Sequence, residues 1–501
     1  MERWVIGQMV VAIAFISIVA YLLFIQWVRK VKFGHVPCPK FKGISSLILG
    51  HTAEVVQTVK NGGKFHNLLQ NWLETYGNTI VFHAFHKAAI MTADPRAIKD
   101  VFVNGGLPRW PQSFQALLSV YGERYIGKSG LVTIEHHAEW SKMRALMNPA
   151  FQRVALMSLI DQFNLAADSL MEKLSELADG KTMVDMNDMF CRLTLDVIGK
   201  VAFDTEIESV HNDTVPFPKA VKTVLEGIEK MFTGMMEEYN IFHYSYHQEV
   251  RQAVRLLREE GRKFIEKRKM AMSKGEHSPN DILSYIIKAS ELDPDLDIED
   301  MLDLVMVFFL AGHETTGNTL SFALRVIADH PDVMQRLEEE VESAVGQKAA
   351  VSFEDLKNLK YMGNVFKESL RLYPVAGLTL RQLNKDMMVG DYLLPAGTGI
   401  GVHVYSCGRM AQFHQEADKF IPDRFDPDSP MKPNAYSYLP FSIGPRNCIG
   451  QNFAKMEMKI IMAKFIQRFK FEVDRSSPLE ILEEATLKPK GGVWCTLKLR
   501  D

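Results

Sequence analysis

The residues best placed to do chemistry lie in one run, Phe441-Ser442-Ile443-Gly444-Pro445-Arg446-Asn447-Cys448-Ile449-Gly450. Two glycines and a proline frame a single thiol just ahead of a helical stretch. Glycine lets backbone approach a planar ligand closely and take unusual dihedrals. A helix start leaves N–H groups unpaired and carries partial positive charge. That setting predicts a depressed thiol pKa and a thiolate ready to bind a metal. Arg446 could reach a carboxylate on such a ligand through charge-assisted bonds. A lone cysteine at a helix start reads first as a structural residue; the whole pattern points to a ligand.

A second constellation, Ala311-Gly312-His313-Glu314-Thr315-Thr316, falls in the middle of an apolar stretch. Gly312 removes a side chain where a ligand could approach. A threonine hydroxyl can bond back to a carbonyl one turn earlier. A carboxylate in an apolar helix is costly unless partnered, so Glu314 beside two hydroxyls reads as a proton relay. The plain alternative is a capped kink with Glu314 at the surface. His313 alone reads as structural. Glu368 and Arg371, at i, i+3, share a helix face and can pair; alone, they are an ordinary ion pair. Trp140 and Arg144 lie one turn apart and offer N–H donors on one face. Each taken singly is a packed Trp or a solvated Arg.

The pattern Phe-x-x-Gly-x-Arg-x-Cys-x-Gly resembles the cysteine loop of the cytochrome P-450 family. The resemblance implies a fold that is mainly α with small β sheets, with haem b between two long helices. It implies Cys448 as the haem-iron ligand, whose thiolate favours O–O cleavage. It makes Glu314 and Thr315 the catalytic pair, with Thr315 serving bound dioxygen and Glu314 bringing protons from solvent. Trp140, Arg144, Arg381 and Arg446 would meet the haem propionates. Glu368, Arg371 and Arg424 resemble a Glu-Arg-Arg network that locks the core behind the haem, for folding and haem retention. The four constellations fall in the family's order along the chain.

Those motifs need long elements to position them. Residues 297–330 predict one buried helix, since an apolar run of that length faces core all round. Residues 138–172 and 246–272 also show helical periodicity, as do 361–372 and 449–468. Residues 79–91 predict two short strands. Ser352 to Asp355 predicts a capping box. No repeat, low-complexity run or linker follows residue 40. The chain of 501 residues, 47% hydrophobic with formal net charge −3, gives ample core and no basic excess for nucleic acid. Five scattered cysteines form no disulfide framework, which predicts a reducing compartment.

Val5 to Trp27 is free of charge. It predicts a transmembrane helix, and Arg29, Lys30 and Lys32 after it place the body on the cytoplasmic side. The expected segments are a membrane anchor at 1–30, a Pro-containing hinge at 31–45 and a haem-binding domain at 46–501. With the family resemblance, the anchor implies a single-pass endoplasmic reticulum protein with NADPH–cytochrome P-450 reductase as electron donor. Lys455 and Lys459 could meet an acidic patch on that reductase; a solvated helix face is the competing reading. Segments such as FFLAGHETTGNTLSFALRVI and ATLKPKGGVWCTLKL are similar to the family's sterol side-chain hydroxylases. By that resemblance Ala311, Ala376 and Thr486 line the substrate pocket. Val375, Gly377 and Leu378 depart from the pattern beside it. A fatty-acid or other lipid hydroxylase, a haem-thiolate isomerase, and a non-enzymatic haem or sterol carrier stay open as alternatives.

Overall fold

The computed structural model describes residues 2–212, 214–233, 240–276 and 279–500; Met1 and Asp501, the outer bounds of the expected segments, lie outside them. The uncharged N-terminal run folds as α1 (Glu2–Trp27), continued by a π-helical turn over Val28–Lys32. Its 26 residues span roughly 39 Å. Most apolar side chains of α1 are exposed, so it is long and apolar enough to cross a membrane without a protein core to cover it.

The stretch expected as a hinge is seated on the body. Val28, Phe33 and Val36 are buried in an apolar cluster with strand residues Ile80, Val81 and Ile90. The Pro37 carbonyl accepts the Val81 N–H at 2.9 Å. Next come α2 (Phe65–Tyr76) and the antiparallel pair β1 (Thr79–Ala84) and β2 (Lys87–Thr92).

The periodicity over 138–172 yields three helices rather than one: α3 (His137–Met147), a short turn at Arg153–Met157, and α4 (Ile160–Glu176). Pro149 accounts for the break, because it lacks an N–H and clashes with a preceding turn. Strand β3 (Val184–Asp185) leads into α5 (Met186–Phe203). Then follow α6 (Pro216–Thr233) and α7 (Tyr244–Ser273).

The central helix is α8 (Ile298–Ala328), opened by a capping box between Asp297 and Asp300. Its most extensive packing is against α5. Gly312 explains part of that closeness: a Cβ there would meet the Ile198 side chain at 2.7 Å. The glycine therefore serves helix–helix packing, not the ligand approach expected from sequence. Asp303 is fully buried, and Arg124 and Arg258 hold its carboxylate at 2.7–3.0 Å.

Helix α9 (Lys360–Leu372) precedes β4 (Thr379–Gln382) and β5 (Gly399–Val402). These strands complete a four-stranded sheet in the order β1-β2-β5-β4, with β2 and β5 parallel. Helix α10 (Gln451–Arg468) follows the cysteine loop and packs on α4 and α8. It ends in β6 (Phe469–Val473), then a hairpin of β7 (Ile481–Glu483) and β8 (Leu487–Pro489), then β9 (Trp494–Leu499). A second sheet has the order β6-β9-β3. The chain is thus mainly helical with small sheets, and two long helices, α8 and α10, carry the two motifs that matter most.

Candidate functional site

Cys448 sits just ahead of α10, on a loop closed by its own N–H donating to the Phe441 carbonyl at 2.9 Å. Gly444 makes that loop possible: its φ is +78°, and a Cβ would meet the Phe102 carbonyl at 1.9 Å. The cysteine lies deep in the protein, yet its side chain is accessible. Burial pushes its thiol pKa up, against the opposing pull of the Gly450 N–H, Arg144 and Lys455. The depressed pKa expected from the helix start is therefore not a property of the polypeptide alone. A metal ion bound at the sulfur would deprotonate the thiol outright, with the loop supplying shape.

Around this loop the structure gathers cations. Arg446 donates to the carbonyls of Ile134 and Glu135 at 2.8 and 2.9 Å, and its guanidinium stacks over Trp140 at 4.7 Å. Arg381, 2% exposed, donates only to the Leu380 carbonyl and stacks over Phe102. Arg109 joins them and was not legible in the sequence, where Pro108-Arg109-Trp110-Pro111 carries no motif. It arrives because Gln382 on β4 donates to the Pro108 carbonyl at 3.0 Å. Burial lowers Arg109 to about 10 and Arg446 to about 9, and drives Arg381 well below its ordinary value. The Nε atoms of Arg109 and Arg446 are buried without partners. Three clustered guanidiniums without a carboxylate partner fit a dianionic ligand, as two haem propionates would be.

Arg144 behaves differently from the propionate role expected of it. Its donors go to Asn148 Oδ1 and to the carbonyl and Oδ1 of Asn447, at 2.8–3.2 Å. It grips the residue before Cys448 and so braces the loop. Trp140 is buried beneath the guanidiniums of Arg446 and Arg144.

On α8 the motif opens a polar notch in an apolar helix. Ala311 is exposed and Thr315 half-buried, although both neighbours of this turn along the helix are core. Thr315 Oγ1 donates to the Ala311 carbonyl at 2.7 Å. Glu314 is 6% exposed, its Oε2 has no partner among the described residues, and burial raises its pKa to about 7. It is buried, not a surface residue capping a kink. Its carboxyl is within reach of the Thr486 hydroxyl, which also accepts from Asn318 Nδ2 at 3.1 Å. His313 bonds the Phe309 carbonyl at 2.8 Å, a structural role. The Val375 carbonyl accepts the Leu487 N–H at 2.9 Å, which sets exposed Ala376 beside the same hairpin. Gly377 is required there, since a Cβ would strike the His66 ring at 2.7 Å.

The Glu-Arg-Arg set meets in full burial. Arg371 forks onto both Glu368 oxygens at 2.8 Å, and Arg424 Nε reaches Oε1 at 3.3 Å. The remaining guanidinium donors take carbonyls of Gly408, Ala417, Lys419, Gln415 and Glu416. Lys455 and Lys459 are not on an open helix face. They line a groove of about 820 Å³ beside the cysteine loop, and Lys459 donates to the Leu356 carbonyl at 3.0 Å.

Comparison with known proteins agrees with this geometry. The cytochrome P450 family model matches residues 46–496. Cytochrome P450 4d2 of Drosophila melanogaster is 28% identical over 461 residues, covering 88% of each chain. Cytochrome P450 3A12 of Canis lupus familiaris is 28% identical over 451 residues, covering 85% of this chain and 86% of its own. With the match extending from the first turn of the body to the last strand, the chain belongs to the cytochrome P450 family, the haem-thiolate monooxygenases that draw NADPH-derived electrons through a reductase.

Proposed function

We propose that this monooxygenase hydroxylates the side chain of a sterol, in the manner of a cholesterol 24-hydroxylase. The reading rests on the resemblance of long segments, from the α8 motif to β8 and β9, to the sterol side-chain hydroxylases. The exposed small residues Ala311 and Ala376 support it, because a sterol offers a large apolar body and little to hydrogen-bond.

Bound haem supplies an iron centre for dioxygen activation, with Cys448 as its thiolate ligand. The chain supplies the rest. Arg109, Arg381 and Arg446 would hold the two propionates, with Trp140 beneath Arg446. Arg144 keeps the cysteine loop in place through Asn447. Glu314, with a pKa near the working pH, can give and regain a proton. Thr315 holds a proton at Oγ1, which turns from the Ala311 carbonyl toward the reacting oxygen. Glu368, Arg371 and Arg424 fix the backbone behind the loop.

The proposal places α1 across the endoplasmic reticulum membrane with the body on the cytoplasmic side, supported by the basic residues that follow the apolar helix. The groove lined by Lys455 and Lys459 is the face offered to the reductase. The test is the reduced, carbon-monoxide difference spectrum of detergent-solubilised protein, followed by cholesterol titration. A thiolate-type Soret band with a cholesterol-induced high-spin shift is expected. A thiolate band that cholesterol leaves unmoved would overturn the sterol reading and keep the enzyme class.

A further inference from the structure

The β7–β8 hairpin carries ionisable groups that the reaction above does not use. Its tip holds Glu484, Ala485 and Thr486, and Lys488 follows on β8. β8 packs along α8, so these side chains lie over the turn that bears Glu314. The Glu314 carboxyl is within hydrogen-bonding reach of Thr486 and feels the charges of Lys488 and Glu484. Asn318, one turn further along α8, donates to the Thr486 hydroxyl. Lys488 closes an ion pair with Glu484. From the other side, Glu229 on α6 shares a hydrogen bond with Glu484 and faces Lys488 and Glu226. Burial, then the charge of Glu484, raises Glu229 to about 7. Tyr125 and Cys191 also face Glu314, and burial keeps both neutral.

Exposure rises along this line. Glu314 is 6% exposed, the Glu484 side chain 9% and the Lys488 side chain 28%, and Glu229 is half-buried. A graded series of proton-holding groups from core to surface is what a buried acid needs if it must be reloaded.

We propose that Glu484 and Glu229 supply protons to Glu314, with Lys488 as a positioning charge, by a route that enters between α6 and the C-terminal hairpin. The proposal rests on the reading of Glu314 as the acid that serves the reaction. After Glu314 gives up its proton, the Thr486 hydroxyl passes its own to the carboxylate as it accepts one through a bridging water from Glu229 and Glu484, and these refill from solvent beside Lys488. No bond between heavy atoms changes, and one proton enters for each one used. Lys488 acts as a positioning charge that holds Glu484 and stabilises the Glu314 carboxylate.

The test uses the full-length holoprotein with two readouts. Infrared titration follows the protonated-carboxyl band that disappears in Glu314→Gln. Lys488→Met moves that titration up by about one pH unit and Glu484→Gln moves it down by a similar amount; a hairpin merely disturbed in shape would not shift it in opposite directions. The second readout is peroxide released per NADPH consumed, with reductase present and cholesterol as the probe. Glu484→Gln and Glu229→Gln raise that ratio several-fold, more steeply as pH increases. Wild-type titration and peroxide ratio in both variants, with a raised ratio in Glu314→Gln, would overturn the hairpin route and leave the role of Glu314 standing. An unchanged ratio in Glu314→Gln would remove Glu314 as the acid, and the proposal with it.

Discussion

Glu314 holds its proton to about pH 7 in the native chain, whereas an unburied glutamate releases it near 4.5. Between those values the native state binds more protons than the unfolded one, so stability falls as pH rises through the window. Glu314→Gln should flatten that slope and stabilise the fold above the window by about 3 kcal/mol. Denaturant midpoints measured at the two ends of the window check it. If its hydroxyl serves the reacting oxygen as proposed, Thr315→Ala should raise peroxide release per NADPH; unchanged coupling would take Thr315 out of the mechanism. Cys448→Ala should abolish the thiolate-type carbon-monoxide band while the far-ultraviolet helical signal stays.

At the scale of elements, two contacts decide whether the site assembles. Gly312→Ala should force α8 and α5 apart at Ile198, at a cost of about 1–3 kcal/mol, typical of overpacking. Glu368→Ala should cost more, about 3–5 kcal/mol, because it strands two fully buried guanidiniums. Thermal unfolding of the two variants ranks them. The long elements were legible in the sequence because their signals are local: α8, α7 and the β1–β2 pair follow from periodicity and length. The Cys448 loop, Glu314 and the Glu368 set were legible as spaced motifs. The break at Pro149 was misread, because a helical period continues through a residue that cannot. Arg109 and the Glu229–Glu484 pair were invisible, since each is brought to the site by a partner far away in sequence. The role of Gly312 was misassigned for the same reason: Ile198 lies on another helix.

For the molecule as a whole, α1 and the segment after it have different fates. Removing residues 2–27 deletes mostly exposed apolar surface, Ile25 apart, and should yield a protein that binds carbon monoxide as before but no longer sediments with membranes. Removing ten more residues should destabilise the fold, since Val28, Phe33 and Val36 sit in the sheet-side core and Pro37 pairs with Val81. A shared denaturation midpoint for the two truncations would count against that packing. The C-terminal hairpin reaches in the other direction. Glu483 accepts the Phe65 and His66 N–H groups at 2.7 and 2.9 Å and so closes the start of α2 across 418 and 417 residues. Such a contact cannot form until nearly the whole chain has been made, and distant contacts are slow to close. While the ribosome is still extending the polypeptide, α2 has no lock and Glu314 no Thr486. The notch around Glu314 therefore closes only once residues 483–486 have emerged, and a messenger cut short before them would give a chain with its motifs intact and its notch unfinished.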